Sequence, residues 1–206
     1  MDNGRYLKKI GILGGTFNPI HTGHMILAQN ALEYCSLDRV LIMPSGCSYL
    51  KDPSMIVDKR HRIEMARLAI EDNEAFELSL IETDRPGNSY TYETLEILTE
   101  QDPHVRYHYI IGEDTLFGME SWRYPERIFS KCTVVCAQRE GRSDDLLDEK
   151  VRYLKEKFDA DIVIMDVPEV AISSSMIRKL LAEGKSCRYY IDDKVAAYIK
   201  ETGLYR

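Results

Sequence analysis

The sequence predicts an α/β protein in which a doubly wound parallel sheet has flanking helices and is followed by a C-terminal helical region. Short apolar runs typical of buried strands alternate with stretches of helical periodicity along the 206 residues. Neither internal repeats nor low-complexity linkers interrupt this alternation, so we expect a single domain over residues 1–206. A glycine pair, Gly14 and Gly15, follows the first apolar run and permits a tight turn into a helix. Together these features indicate a Rossmann-like fold.

Six apolar runs are predicted as strands of one sheet, because parallel strands joined by helices pair through right-handed crossovers. They are residues 10–13, 39–43, 76–81, 105–111, 133–137 and 162–167. Helices are predicted where apolar residues recur at spacings of three and four behind a capping side chain. Their predicted starts are Thr22, a cap at Asp58, a cap at Ser89 or Thr91, Val151, Ser173 and Asp192. Gly184 and Gly203 stand at the usual stop positions of the last two.

The composition is that of a globular protein, with 44% hydrophobic and 30% charged residues. A net charge of −7 differs from the basic character of most nucleic-acid-binding domains, so we expect small-molecule partners and no nucleic acid. No apolar run approaches the length of a membrane span, and no signal-peptide pattern precedes the first strand. The five cysteines form no CxxC pair, so Cys132 and Cys136 are expected in the core and not at a metal. We expect the protein in the reducing cytoplasm.

The stretch from Ile10 to His24, IGILGGTFNPIHTGH, predicts an anion-binding site. A strand, a glycine turn and a helix start bring free N–H groups and the positive end of the helix dipole together. His21 and His24 lie three residues apart, so both imidazoles can point to one side of that helix start. The P-loop pattern and the dinucleotide-binding GxGxxG are both absent from the sequence. The alternative is an ordinary turn with one core histidine and one surface histidine.

A second candidate for phosphate binding is SSSMIR, residues 173–178, which opens a helix with hydroxyl side chains and continues to Arg178. Such hydroxyls satisfy the free N–H groups of a helix start, and the same groups can hold a phosphate. By itself the segment is better explained as a capped helix. Other polar features also follow predicted strands: Lys51 after the second, Arg85 after the third, and Gly112 to Asp114 after the fourth. Because ligands of such sheets bind at the carboxyl ends of the strands, we expect one site.

The segment GGTFNPIHTGH resembles the signature of the HxGH nucleotidyltransferases, and ISSSMIR resembles their second phosphate motif, commonly ISSTxIR. Three more segments, SYTYETL, IIGED and the Trp122-Arg123 pair, are similar to the bacterial nicotinate-nucleotide adenylyltransferases. The match runs from Gly14 to Tyr205. The resemblance implies transfer of the adenylyl group of ATP to nicotinate mononucleotide, with Mg²⁺ on the triphosphate and no metal held by the protein alone.

The resemblance also implies which residues form the site. His21, His24 and Arg178 are the expected catalytic residues. ATP is expected to contact Gly14, Gly15, Thr16, Phe17, His21, His24, Gly112, Asp114, Ser174, Ser175 and Arg178. The mononucleotide is expected to contact Asn18, Lys51, Tyr90, Thr91, Trp122 and Arg123. Trp122 would stack on the pyridine ring, since a flat electron-poor ring suits an indole face; packing in the core is the alternative for this residue.

The chain departs from the family pattern at three places. Asn18 stands where Asp is common, Ser175 replaces a common Thr, and Ser-Tyr-Leu-Lys at 48–51 replaces a frequent Pro-Pro-His-Lys while keeping Lys51. The residues leave other functions open: an adenylyltransferase for nicotinamide mononucleotide, a pantetheine-phosphate adenylyltransferase, an alcohol-phosphate cytidylyltransferase, or a nucleotide-binding module without turnover. The oligomeric state is also open, with a homo-oligomer as one option.

Overall fold

The computed structural model describes residues 8–46, 55–139 and 145–206. Its described elements follow the alternation expected from the sequence. In chain order they are β1 (Lys8–Gly15), α1 (Thr22–Tyr34), β2 (Arg39–Pro44), α2 (Lys59–Ile70), β3 (Phe76–Leu78), α3 (Thr91–Gln101), β4 (Val105–Gly112), α4 (Glu113–Gly118), α5 (Pro125–Phe129), β5 (Cys132–Arg139), α6 (Asp145–Phe158), β6 (Ile162–Val167), α7 (Ser174–Ala182) and α8 (Asp193–Thr202). A 3₁₀ turn, Met119–Ser121, lies between α4 and α5.

The strands form one six-stranded sheet in the order β3-β2-β1-β4-β5-β6. Strands β1 and β4, β4 and β5, and β5 and β6 pair in parallel, with Ile10 opposite Tyr107 in the first of these pairs. The order reverses direction at β1, which is the arrangement of a doubly wound sheet. The predicted fold class is therefore confirmed, and α7 and α8 form the predicted C-terminal helical region.

Contacts group the described residues into two compact units. The first unit comprises the described parts of 1–13, 30–40 and 90–169, and the second unit comprises the described parts of 14–29, 41–89 and 170–206. In the first unit, β5 is covered on both faces, so Val134, Val135 and Cys136 are all fully buried. Cys132 is buried too, and burial raises the pKa of both thiols to about 12, which confirms that these cysteines are core residues.

The predicted cap at Asp58 is confirmed, and Ser173 and Asp192, which were predicted as helix starts, also act as caps. Asp58 accepts a hydrogen bond from the Arg60 N–H, Ser173 from the Met176 N–H, and Asp192 from the Lys194 N–H. Gly203 ends α8 in the left-handed conformation, as predicted. The cap predicted for α3 at Ser89 or Thr91 is wrong, because Tyr90 holds the cap position without a side-chain bond. The Ser89 hydroxyl instead accepts from the Gly46 N–H at 3.1 Å.

Two further differences concern short elements. Strand β3 ends at Leu78 and not at Ile81, because the chain enters a turn in which the Asp84 N–H donates to the Leu80 carbonyl. Helices α4 and α5 were not predicted, since five or six residues are too few for a helical periodicity to show. Within the described ranges, no helix combines the length and apolar character needed to span a bilayer.

Candidate active site

The glycine turn after β1 brings the backbone close to an aromatic ring. A Cβ atom on Gly15 would lie 2.6 Å from the ring of Phe17, so no larger residue fits there without displacing that ring. Phe17 itself is buried and holds a positive φ of 48°. Its ring meets the imidazole of His24 edge-on, with 5.0 Å between centroids. The glycine at position 15 therefore allows Phe17 to support one of the two histidines.

His21 and His24 lie on one side of the start of α1, as their spacing predicted, and their rings are stacked. Their ring centroids are 3.6 Å apart and the planes are inclined by 26°. The His21 backbone N–H donates to Nδ1 of His24 at 3.1 Å, which makes that nitrogen an acceptor. A neutral His24 therefore carries its proton on Nε2. Two imidazolium rings at this separation would repel each other, so the geometry favours at most one charge on the pair.

His21 is the more deeply buried of the two, with 8% of its surface exposed. Burial lowers the pKa of its imidazole to about 4. Its Nδ1 atom is buried and has no hydrogen-bond partner among the described residues. The backbone at Gly23 is close by, because a Cβ atom there would lie 3.1 Å from that nitrogen. His21 is consequently neutral at pH 7 in the free protein.

The serine-started helix α7 packs against the loop that precedes the histidines. The Ser174 hydroxyl donates to the Pro19 carbonyl at 2.8 Å, and the Arg178 guanidinium donates to the Asn18 carbonyl at 2.9 Å. Arg178 also donates to the hydroxyl of Ser175 at 3.1 Å. The two motifs singled out in the sequence thus lie side by side within the second unit.

A pocket of about 430 Å³ opens between these motifs. Its lining residues are Thr16, Asn18, Met55, Ile56, Ser173, Ser174, Ser175 and Arg178. The volume lies in the range of small-molecule sites. One wall is the first turn of α7, where free N–H groups and the helix dipole favour an anion, and Arg178 adds a positive charge. The pocket is therefore suited to the phosphate groups of a nucleotide.

Arg62 is a residue of this region that the sequence reasoning missed. Its side chain is 97% buried, and its guanidinium donates to the carbonyls of Thr16 (2.9 Å), Ser45 (2.8 Å) and Gly46 (3.2 Å). It also donates to the Val57 carbonyl at 3.3 Å. One guanidinium thus joins the glycine turn, the end of β2 and the segment before α2. The available signal was an arginine three residues before Met65, on the apolar face of α2.

Two separate sets of aromatic contacts involve the predicted mononucleotide residues of the first unit. Trp122 is half-buried and meets Tyr109 edge-on, with 6.2 Å between ring centroids. The Arg123 guanidinium lies 4.9 Å from the ring centre of Tyr90 and 5.4 Å from that of Tyr124. Trp122 is thus partly exposed and packs against Tyr109, and its stacking on a pyridine ring stays a prediction.

The remaining predicted residues fall as follows. Thr91 is the first residue of α3, Gly112 ends β4, and the exposed Asp114 lies in the first turn of α4. A Cβ atom on Gly112 would meet no atom of the described residues within 4 Å. These three residues belong to the first unit, whereas Gly14 to Asn18, the histidines and α7 belong to the second. Lys51 lies outside the described residues.

The sheet order, the glycine turn and the pocket beside the first turn of α7 define a nucleotide-binding α/β protein. The sequence model of the cytidylyltransferase-like family matches residues 12–180. A probable nicotinate-nucleotide adenylyltransferase of Lachnoclostridium phytofermentans is 40% identical over 97% of this chain and 100% of its own. A protein of the same name from Roseiflexus sp. is 43% identical over 96% of this chain and 98% of its own. The chain belongs to the nicotinate-nucleotide adenylyltransferases of the cytidylyltransferase-like family.

Solved structures share the fold. A Plasmodium falciparum nicotinic acid mononucleotide adenylyltransferase complexed with NaAD superposes with a TM-score of 0.78 at 21% identity, covering 96% of this chain and 97% of the other. A Vibrio parahaemolyticus structure described as a nicotinate-nucleotide adenylyltransferase gives a TM-score of 0.69 at 24% identity, covering 97% and 96%. The resemblance that the motifs indicated is confirmed.

Proposed function

We propose that this chain transfers the adenylyl group of ATP to nicotinate mononucleotide, giving the dinucleotide and pyrophosphate. The observation that carries the proposal is the pocket in which the glycine turn meets α7. We infer nicotinate mononucleotide as the acceptor from the names of two relatives that match this chain over nearly its whole length. Free thiols on the four described cysteines agree with a reducing compartment, and we propose the cytoplasm as the location.

The proposed reaction does not require a strong general base. The attacking atom is a phosphate oxygen of the mononucleotide, whose second pKa of about 6 leaves it mostly deprotonated at neutral pH. The protein must instead align two anions and stabilise the charge that develops on the α-phosphate and on the leaving pyrophosphate. In this mechanism neither an activated serine nor an activated cysteine is needed.

We assign the phosphate contacts to His21, His24 and α7. The neutral His24 presents its Nε2–H as a hydrogen-bond donor, since its Nδ1 is occupied by the His21 N–H. Ser174, Ser175 and Arg178 line the pocket and would hold the phosphates together with the N–H groups of the first turn of α7. Gly14, Gly15, Thr16 and Phe17 would supply backbone around the same phosphates.

Mg²⁺ fits this site as a companion of ATP. Among the described residues, no carboxylate lines the pocket and no three metal-binding side chains form a group. A cation there would therefore be held mainly by phosphate oxygens and water, as is usual for Mg²⁺ with a nucleoside triphosphate. When bound it would offset charge on the phosphate oxygens. Orientation of the phosphates by His24, Ser174 and Arg178 remains the task of the protein.

The remaining assignments concern the acceptor and the ribose of ATP. We propose that the half-buried Trp122 stacks on the pyridine ring and that Thr91, Tyr90 and Arg123 face its carboxylate. Asn18 and Lys51 would contact the mononucleotide phosphate. Gly112 and Asp114 would hold the ribose of ATP, because a carboxylate suits vicinal hydroxyls.

The test is pyrophosphate release measured with ATP and each acceptor separately: nicotinate mononucleotide, nicotinamide mononucleotide and phosphopantetheine. We expect release with nicotinate mononucleotide to have a kcat/KM at least tenfold above that with either other acceptor. Equal rates with nicotinate and nicotinamide mononucleotide would contradict the proposed acceptor. Binding of ATP without any pyrophosphate release would point to a module without turnover.

A further inference from the structure

The side chain of Asn18 connects three segments of the second unit. Its Nδ2 atom donates to the Met55 carbonyl at 2.9 Å. Its Oδ1 atom accepts from the Tyr205 hydroxyl at 2.8 Å and from the Val57 N–H at 3.4 Å. Since a carbonyl can only accept, Nδ2 must face Met55, and Oδ1 must face the tyrosine. The chemistry of its partners therefore fixes the orientation of this buried amide.

Asn18 is also part of the phosphate pocket. It lines the pocket with Met55, and its backbone carbonyl accepts from Arg178, which lines the same pocket. The bond from Nδ2 to Met55 joins two walls of the pocket directly. Any change in the orientation of the Asn18 amide therefore moves a wall against which phosphates are proposed to bind.

Tyr205 is held where it can act on that amide. Gly203 turns the chain after α8 in the left-handed conformation, and the Leu204 N–H donates to the Ile199 carbonyl. Tyr205 follows with a positive φ of 63°, an unfavourable conformation for a non-glycine residue. Burial raises the pKa of its hydroxyl, so the group stays protonated and remains a donor throughout the neutral pH range.

We propose that Tyr205 is a positioning residue for the phosphate pocket: its hydroxyl orients the Asn18 side chain, which holds the 55–57 segment against the pocket. This inference rests on the proposed use of the pocket for ATP. Without the hydroxyl, Oδ1 retains among the described residues only the long bond from Val57, and the amide is then able to rotate away from Met55. The pocket then binds the triphosphate less tightly, while the reacting groups themselves are unchanged.

The experiment measures the Kd of a non-hydrolysable ATP analogue by calorimetry for the parent, Tyr205→Phe and Tyr198→Phe. Tyr198→Phe is the matched control, because it also removes one C-terminal tyrosine hydroxyl, which bonds to Nδ1 of His61 at 2.8 Å. Neither Tyr198 nor His61 lines the pocket. We expect Tyr205→Phe to raise the Kd about five- to tenfold and Tyr198→Phe to leave it within twofold. Equal Kd values for the two variants would overturn the proposal.

A second comparison tests whether Tyr205 acts through Asn18. Asn18→Ala removes the amide, so adding Tyr205→Phe to it should raise the Kd less than twofold further. Effects that multiply would show that Tyr205 acts independently, and would also overturn the proposal. Should Tyr205→Phe not fold, Tyr205→Met removes the same hydroxyl and is measured in its place. Since the readout is binding, a failure of adenylyl transfer is seen separately, as absent pyrophosphate release.

Discussion

At the scale of single residues, the buried His21 links the site to pH. The pKa of its imidazole is about 4 in the folded protein, against about 6.5 when unfolded, because burial disfavours the charged form. Between these values the unfolded chain binds more protons than the folded chain. The contribution of His21 to the free energy of unfolding is therefore fully present above pH 6.5. It is lost as the pH falls towards 4, by up to about 3 kcal/mol.

The corresponding prediction compares the parent with His21→Gln in urea unfolding at pH 7.5 and pH 5. We expect the free energy of unfolding to fall with pH in both, but by about 1–2 kcal/mol less in the variant. The remaining loss comes partly from His108, which is buried in the first unit and whose pKa burial also lowers. An identical loss in parent and variant would show that His21 does not carry this pH dependence.

At the scale of elements, α2 stabilises the pocket through one side chain. Arg62 donates to carbonyls from three segments, so Arg62→Met leaves buried acceptors without a donor. We expect a loss of about 2–4 kcal/mol in the free energy of unfolding. Arg67→Met on the same helix is the control, because Arg67 forms exposed ion pairs with Glu64 and Glu71, worth less than about 1 kcal/mol.

Chemical denaturation of both variants at pH 7.5 measures the difference. A loss in Arg62→Met no larger than that in Arg67→Met would mean that solvent replaces the guanidinium at these carbonyls. A loss confined to Arg62→Met would confirm that α2 organises the glycine turn and the end of β2 together. Affinity for an ATP analogue should fall in the same variant, because Thr16 lines the pocket.

Elements differ in how far the sequence predicts them. Strands β4 to β6 were predicted within about two residues, because buried parallel strands are continuous apolar runs. The cap of α3 was predicted wrongly because the Ser89 hydroxyl bonds to Gly46, a residue 43 positions away. Arg62 was missed for the same reason, since its partners are carbonyls of distant loops. Local sequence patterns do not indicate hydrogen-bond partners that are distant in the sequence.

At the scale of the whole molecule, the sequence predicted a doubly wound sheet and predicted that two distant motifs lie at one site. Asn18 and Arg178 are 160 positions apart, yet the family resemblance of their motifs predicted that they meet. What it did not predict is the detail of that meeting: Arg178 bonds to a backbone carbonyl, and the Tyr205 hydroxyl reaches the Asn18 side chain. These contacts depend on the packing of α7 and α8, which periodicity alone does not specify.

Turnover kinetics of the whole chain separate the proposed roles of His24 and Trp122. His24→Ala should lower kcat about 10²–10³-fold, the usual cost of removing one donor to a developing charge, with the KM for nicotinate mononucleotide within threefold. Trp122→Ala should raise that KM at least tenfold and leave the affinity for an ATP analogue within twofold, because the indole is proposed to contact only the acceptor ring. Tyr34→Ala, which removes an exposed aromatic ring at the end of α1, is the control and should change neither constant. Steady-state pyrophosphate release with each substrate varied in turn measures all three variants. If His24→Ala raised only the KM for ATP, the residue would bind substrate and transition state equally, and its assignment to catalysis would be wrong.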